Sequence, residues 1–294
     1  MSRPVRIEFP GANYYVTSKG NGDKAIFMDD EDRAVFLNVV DTVVSRFEWI
    51  IHSYVLMDNH YHLVVDCPNA NLSKGMRQLN GVYTQHFNRR HSAEGPLFQG
   101  RFKSILFEKE TYLLPLCRHT VLNPVRCEVV TTPTKYRWSS YRAHIGLVKP
   151  QGWLCTETLL GQFGKREKDN QRKYRDFVKL NMNEPSPLDG RAAQVLLGSP
   201  RFIEEMHPIL NGEKVAKRGP KAAKRRRSIS SLCKNVENKT RDERNKIIRR
   251  AHIEHSYTLK EIGDYLGLHY TTVSKVVNRS EEHTSELQSP VHLV

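Results

Sequence analysis

The sequence predicts an α+β domain, a sheet with helices on one face, followed by a helical region and a small all-helical C-terminal domain. Three observations carry this. Runs rich in β-branched and aromatic residues end in Gly or Asn turn signals. Apolar residues at helical spacing lie between those runs. A basic stretch broken by Gly219-Pro220 then separates a second helical block from the first.

Asn13-Tyr14-Tyr15-Val16-Thr17-Ser18 reads as a strand before a Gly20-Asn21-Gly22 turn. Asp29 to Asp32 supply an acidic cap and first turn for a helix, along which Val35, Phe36, Val39, Val40, Val43, Val44 and Phe47 recur at helical spacing. Trp49 to Met57 is apolar and β-prone, and after Asp58-Asn59 the stretch His60 to Val65 is a second such strand. Leu72 to His91 predicts a helix with Met76, Leu79, Tyr83 and Phe87 on one side. Phe102 to Glu108 reads as a short strand. Thr111 to Leu122 reads as a helix that Pro124 stops, with Pro115 in its first turn, where a missing N–H does least harm. Residues 153–210 read as short helices broken by Pro185, Pro187 and Pro200. The expected boundaries are 1–145 for the mixed domain, 146–212 for a helical extension, 213–238 for a basic linker and 239–278 for the C-terminal domain.

Composition narrows the function. Of 294 residues, 46 are Lys or Arg and 32 are Asp or Glu, a net charge of +14 that points to a polyanion, most simply nucleic acid. Residues 213–278 hold 17 basic and 7 acidic side chains, so most of the excess sits there. An apolar fraction of 38% argues for a packed core and against wholesale disorder. The absence of an apolar run long enough for a span, and of a basic-then-apolar start, predicts neither membrane insertion nor secretion. Five cysteines without C-x-x-C spacing suggest reduced thiols in a cytoplasm, where the protein would associate with the nucleoid.

The sharpest local signal is Leu56-Met57-Asp58-Asn59-His60-Tyr61-His62-Leu63-Val64-Val65. On a strand, residues two apart share a face, so His60 and His62 present two imidazoles side by side. Such a pair is either a divalent-metal clamp or two half-exposed strand histidines.

The surroundings of this strand resemble the HUH endonuclease superfamily, and within it the tyrosine transposases of the REP-associated type. The strand itself is similar to the metal strand of that family. Gly95–Glu108 (GPLFQGRFKSILFE) resembles the strand entering its active site, Tyr112–Arg126 (YLLPLCRHTVLNPVR) its active-site helix, and Trp138-Ser139-Ser140-Tyr141 its closing element. The matches run in the family's order over roughly the first half of the chain. The resemblance implies a ferredoxin-like antiparallel sheet that recognises hairpin or palindromic DNA and cuts and rejoins the adjoining single strand. It implies Mg²⁺ or Mn²⁺ held by His60 and His62, which would withdraw charge from the scissile phosphate. It implies a third ligand one turn after the nucleophile, here Asn123, which otherwise simply caps its helix. Asp58 is a further candidate.

One position departs from the family. The nucleophilic tyrosine is replaced by His119. Three readings stand open. Tyr112, seven residues earlier, substitutes. His119 itself attacks phosphorus, as an imidazole can. Or the domain binds DNA without cutting it. Arg101, Lys103, Arg118 and Arg126 flank the motifs as candidate phosphate contacts.

Residues 240–278 carry a second signal. Thr240 can cap a helix, and Thr258 with Glu261 fits a capping box. Ile262, Tyr265 and Leu266 form an apolar stripe, Gly267 supplies a turn, and His269 to Val277 reads as a second, recognition helix. The pattern resembles the helix-turn-helix of DnaA-type or Trp-repressor-type domains, which implies duplex contact through Tyr270, Thr271, Thr272 and Lys275. The expected partners are therefore single-stranded or hairpin DNA at the first domain and duplex DNA at the second, with the protein a monomer or homodimer. The final segment, residues 279–294, beginning Arg279-Ser280-Glu281-Glu282-His283-Thr284, resembles a translated sequencing adapter and is set aside from the fold.

Overall fold

The computed structural model describes residues 7–210, except 191, 193 and 194, and residues 228–278, except 235 and 256. Most of the expected linker (213–227) and the adapter-like tail (279–294) lie outside the described residues. The chain divides into two compact units, Met1–Arg226 and Arg227–Val294.

The first unit runs β1 (Ala12–Lys19), α1 (Asp30–Phe47), β2 (Ile50–Met57), β3 (His60–Cys67), α2 (Leu72–His91), β4 (Lys103–Phe107) and α3 (Lys109–Arg126). It continues with α4 (Tyr141–His144), α5 (Glu157–Leu160), α6 (Glu167–Leu180), β5 (Leu196–Leu197) and α7 (Pro200–Leu210). The strands form one sheet in the order β2-β3-β1-β4-β5. The first four pair antiparallel, and β5 joins β4 in parallel. The mixed α+β class expected from the sequence is therefore present.

The sheet is covered on both faces, where the sequence suggested helices on one. Tyr14 and Val16 of β1 and Tyr61, Leu63 and Val65 of β3 meet Phe36 and Val40 of α1 and Leu79 and Tyr83 of α2. Phe36, fully buried, centres this side, with its ring 4.7 Å from Tyr61 and 5.1 Å from Tyr83. The alternate residues Tyr15, Val64, Ile105 and Phe107 pack against Leu113, Leu116, Cys117 and Val121 of α3, backed by Tyr174 and Val178 of α6. The physical reason is visible in β2, where every residue is buried. Strands apolar on both sides need two covers.

Two further expectations are corrected. The helix does not stop before Pro124, and Pro115 lies in its second turn: α3 runs from Lys109 to Arg126 through both prolines. Each interior proline costs about 3 kcal/mol through a lost hydrogen bond and ring crowding. Burial of Leu116, Cys117, Val121 and Leu122 on the sheet offsets that cost. The supposedly helical 153–210 region also contributes β5, whose two residues are too few to display a strand period.

Gly75 of α2 packs closely against Trp49, in the link between α1 and β2. A Cβ there would stand 2.2 Å from Trp49 Cζ2. The indole cannot swing away freely, because its Nε1 donates to Asn71 Oδ1 at 2.9 Å. Gly75→Ala is therefore expected to destabilise the unit by about 1–3 kcal/mol, although alanine is the better helix former by ~1 kcal/mol. A lower urea midpoint would agree, and a raised one would not.

The second unit holds α8 (Ile229–Leu232), α9 (Arg241–Ile253), α10 (Leu259–Leu266) and α11 (Tyr270–Asn278). Thr240 with Glu243, and Thr258 with Glu261, form reciprocal capping boxes that start α9 and α10. Gly267 ends α10 with φ 65°, a left-handed turn that glycine adopts without strain. Ile248, Ala251, Leu259, Ile262 and Val273 form the core of this unit.

Candidate metal and nucleic-acid site

The site grows from strand alternation. His60 and His62 of β3 point to the α3 side of the sheet, the face that also carries Val64 and Tyr15. Both are half-buried, and their rings lie 5.0 Å apart. Asn123, on α3, reaches both from across the sheet. Its Oδ1 lies 3.2 Å from His60 Nε2, and its Nδ2 lies 3.3 Å from His62 Nε2.

Partners behind the rings set the tautomers. Asn59 Oδ1, an acceptor, lies 2.6 Å from His60 Nδ1, so the proton sits on Nδ1 and the Nε2 lone pair faces Asn123. Tyr15 Oη lies 2.9 Å from His62 Nδ1, and the phenol stacks on that imidazole with centroids 5.3 Å apart. With the Nδ1 proton directed at Tyr15, the Nε2 of His62 accepts from the Asn123 amide. Burial pushes the pKa of both histidines down, that of His62 further through its deeper burial, and a proton on His62 would also be opposed by any charge on His60 or His119. Both imidazoles are thus neutral and offer a lone pair inward.

This arrangement fits a divalent cation. His60 Nε2 and Asn123 Oδ1 are two acceptors face to face, a repulsion that a cation relieves. Two imidazole nitrogens and a carboxamide oxygen suit a first-row divalent ion. Asp58 does not join them: it is exposed and paired with Arg33. Among the described residues no cluster of three or more His, Cys, Asp or Glu could hold a metal, so the donor set rests on two imidazoles and Asn123.

His119 stands four residues before Asn123 on α3, one helical turn away. It is 8% exposed, and its ring meets Tyr15 edge-on at 6.0 Å. The Arg126 guanidinium donates to His119 Nδ1, and its other arm donates to the Glu184 carbonyl at 2.7 Å. Ser186 Oγ lies 3.5 Å from the same Nδ1. Burial, then the Arg126 and Arg118 charges, lower the His119 pKa to about 4. A neutral imidazole has one lone-pair nitrogen, and a guanidinium can only donate. The lone pair of His119 is therefore on Nδ1 and already engaged, which leaves Nε2–H as a donor.

Tyr112 lies in the first turn of α3, partly buried against the second core. Helical rise puts it about 16 Å from Asn123 along the axis. Lys103 is exposed and shares a cross-strand row with Thr17 and His62, about 10 Å from the latter. Arg101, also exposed, lies just before β4. Arg118 is half-buried with its guanidinium over the Phe177 ring at 5.0 Å. Arg118 and Arg126 thus serve the protein interior, and Arg101 and Lys103 remain as outward cations beside the site. In the second unit, Thr271, Thr272 and Lys275 are exposed on α11 while Val273 faces the core. Tyr270 opens that helix, and its side chain lies outside the described residues.

Tyr15 is the functional neighbour that sequence reasoning missed. In sequence it is one aromatic in a strand. Only the pairing of β1 with β3 puts its hydroxyl on His62.

Residues 16–114 match the family described as "Transposase IS200 like". That stretch, about a third of the chain, is similar to IS200-like transposases. The match includes His60, His62 and Tyr112 and ends inside α3, before His119 and Asn123. A search of curated proteins finds no match. Among solved structures, one described as "Structure of the REP associates tyrosine transposase bound to a REP hairpin" is similar at 15% identity and a TM-score of 0.44. The similarity covers 53% of this chain and 90% of that one. Among the described residues of the chain, no helix is long and apolar enough to cross a membrane.

Proposed function

We propose that this is a REP-associated-type member of the transposase family that binds hairpin-tailed single-stranded DNA through the IS200-like domain. His60, His62 and Asn123 would hold Mg²⁺ or Mn²⁺, which when bound supplies positive charge to a phosphate. His119 donates its Nε2–H to a phosphate oxygen and forms no bond to phosphorus. Arg101 and Lys103 neutralise the adjoining backbone. In the second unit, α11 approaches duplex DNA with Thr271, Thr272 and Lys275 outward, and Tyr270 at its start. The observation that carries the non-covalent reading is the Arg126 contact, which occupies the only lone pair His119 has. Tyr112, about 16 Å from Asn123 along the helix axis, takes no part in this reading.

Mn²⁺ titration and anisotropy with a labelled hairpin-tailed strand test this. His62→Ala is expected to weaken Mn²⁺ binding by about 100-fold or more. The unaltered protein should bind the DNA and give no covalent adduct on a denaturing gel. Unchanged Mn²⁺ affinity in His62→Ala would remove the metal site. Robust adducts that vanish with Tyr112→Phe would restore Tyr112 as the nucleophile.

A further inference from the structure

Tyr15 touches two groups of the metal and nucleic-acid site at once. It lies on β1, which pairs antiparallel with β3, and it is 2% exposed. Its hydroxyl lies 2.9 Å from His62 Nδ1, and its ring stacks on that imidazole with 5.3 Å between centroids and 26° between planes. Its ring also meets that of His119 edge-on at 6.0 Å. A hydroxyl can donate to Nδ1 or accept from it, and the choice fixes which nitrogen of a neutral imidazole keeps its lone pair. Asn123 decides between the two. Its Nδ2 lies 3.3 Å from His62 Nε2, so a proton on Nε2 would stand donor against donor. The amide is held in this orientation from outside the histidine pair. Cys127, which caps α3, donates its thiol hydrogen to Asn123 Oδ1 at 3.7 Å. The Nδ1 proton of His62 therefore goes to the Tyr15 oxygen, and Nε2 keeps its lone pair.

We propose that Tyr15 is a positioning residue for the metal site: its hydroxyl accepts the Nδ1 proton of His62 and so commits the Nε2 lone pair to a divalent cation. With His60, His62 and Asn123 read as the metal donors, on which this rests, Tyr15 is the group that keeps one donor in the form a cation needs. A metal takes an imidazole nitrogen only through its lone pair, and a proton on that nitrogen excludes it. An acceptor behind the ring fixes the tautomer and makes the facing nitrogen more basic. His60 finds its acceptor next door, in Asn59 Oδ1 at 2.6 Å from Nδ1. His62 does not. Its sequence neighbours Tyr61 and Leu63 point to the other face, and the Tyr61 hydroxyl donates to Asn80 Oδ1 at 2.5 Å. The phenol from β1 supplies what they cannot. Its stacking holds the plane of the imidazole as its oxygen holds the proton. Tyr15 acts only through His62, because its oxygen meets Nδ1, and Nε2 is the nitrogen turned to Asn123.

Tyr15→Phe keeps the ring and removes the oxygen. Nitrogen NMR of the full chain with labelled histidine, at neutral pH and without metal, reports which ring nitrogen carries the proton. His60 is the internal reference, and His62→Ala assigns the signals. In the unaltered protein His62 should be protonated on Nδ1. In Tyr15→Phe it should move toward the Nε2-protonated form while His60 stays as it was, and Mn²⁺ affinity should fall by about 10–100-fold. A loss of packing alone would not exchange one tautomer for the other at a single histidine. A His62 protonated on Nε2 in the unaltered protein overturns the proposal whether or not the variant folds. So does a Tyr15→Phe protein in which either the His62 tautomer or the Mn²⁺ affinity is unchanged. If the unaltered protein shows the Nδ1 form but binds no Mn²⁺, the metal reading falls and the proposal with it. If it binds Mn²⁺ and the variant binds equally well, the role of Tyr15 falls and the metal reading stands.

Discussion

His119→Tyr is expected to create covalent protein–DNA adducts with a hairpin-tailed strand and Mn²⁺, where the unaltered protein forms none. The position lies one turn before Asn123, on the α3 face that reaches His60 and His62. A phenol there carries an oxygen that both donates and accepts, so a guanidinium at Arg126 can stabilise its ionised form while a second lone pair remains for attack. The imidazole lacks that second lone pair. A gain of about 100-fold in adduct formation corresponds to ~2.7 kcal/mol of barrier. The measurement is a denaturing gel of labelled DNA, with double variants carrying His62→Ala as the control that should lose the gain. If His119→Tyr binds DNA like the unaltered protein yet forms no adduct, the position is not the attacking one.

The second large effect is acid destabilisation of the first unit. His144 is fully buried, neither ring nitrogen has a hydrogen-bond partner, and burial lowers its pKa to about 3. His119 is lowered to about 4 by burial and by its two arginines. Both titrate near 6.5 once unfolded. Between those values the unfolded chain binds more protons than the native one, so stability falls as pH falls. Each histidine contributes about 1.4 kcal/mol per pH unit in that window, together roughly 3 kcal/mol per unit below pH 6.5. That is a large share of the 5–15 kcal/mol typical of a domain. The buried His52 and Asp66, paired at 2.8 Å, act in other windows. Asp66, lowered to about 2, gives stability that is lost only as pH falls below the ordinary carboxylate range. His52, raised to about 9, gives stability that is lost as pH rises through 9. Urea midpoints measured from pH 7 down to about pH 4.5 should therefore drop steeply, and His144→Phe should flatten the slope. A flat profile would mean these histidines are not held neutral by the fold.

Much of the molecule was legible locally. The strand at Tyr14 to Ser18, the helices at Val35 to Phe47 and Leu72 to His91, and the box at Thr258 and Glu261 all rest on neighbours a few residues apart. Other features were not legible. Leu196-Leu197 has no period to read, and Pro124 signals a stop that burial of α3 overrides. Arg118 and Arg126 read as candidate phosphate contacts from their place beside the motifs, yet one covers Phe177 and the other engages His119.

The division between sequence and tertiary structure follows from range. Residues two apart on a strand must share a face, so the pairing of His60 with His62 was determined by the sequence alone, as were the helix starts set by side chains three residues away. Which groups those imidazoles would meet depended on contacts between distant segments. Asn123 arrives from more than 60 residues away because α3 covers the second face, and Tyr15 arrives from the neighbouring strand through register. The same is true of Arg126 on His119. Periodicity tells each side chain which way to point, whereas its partner is chosen by packing the whole chain into one core.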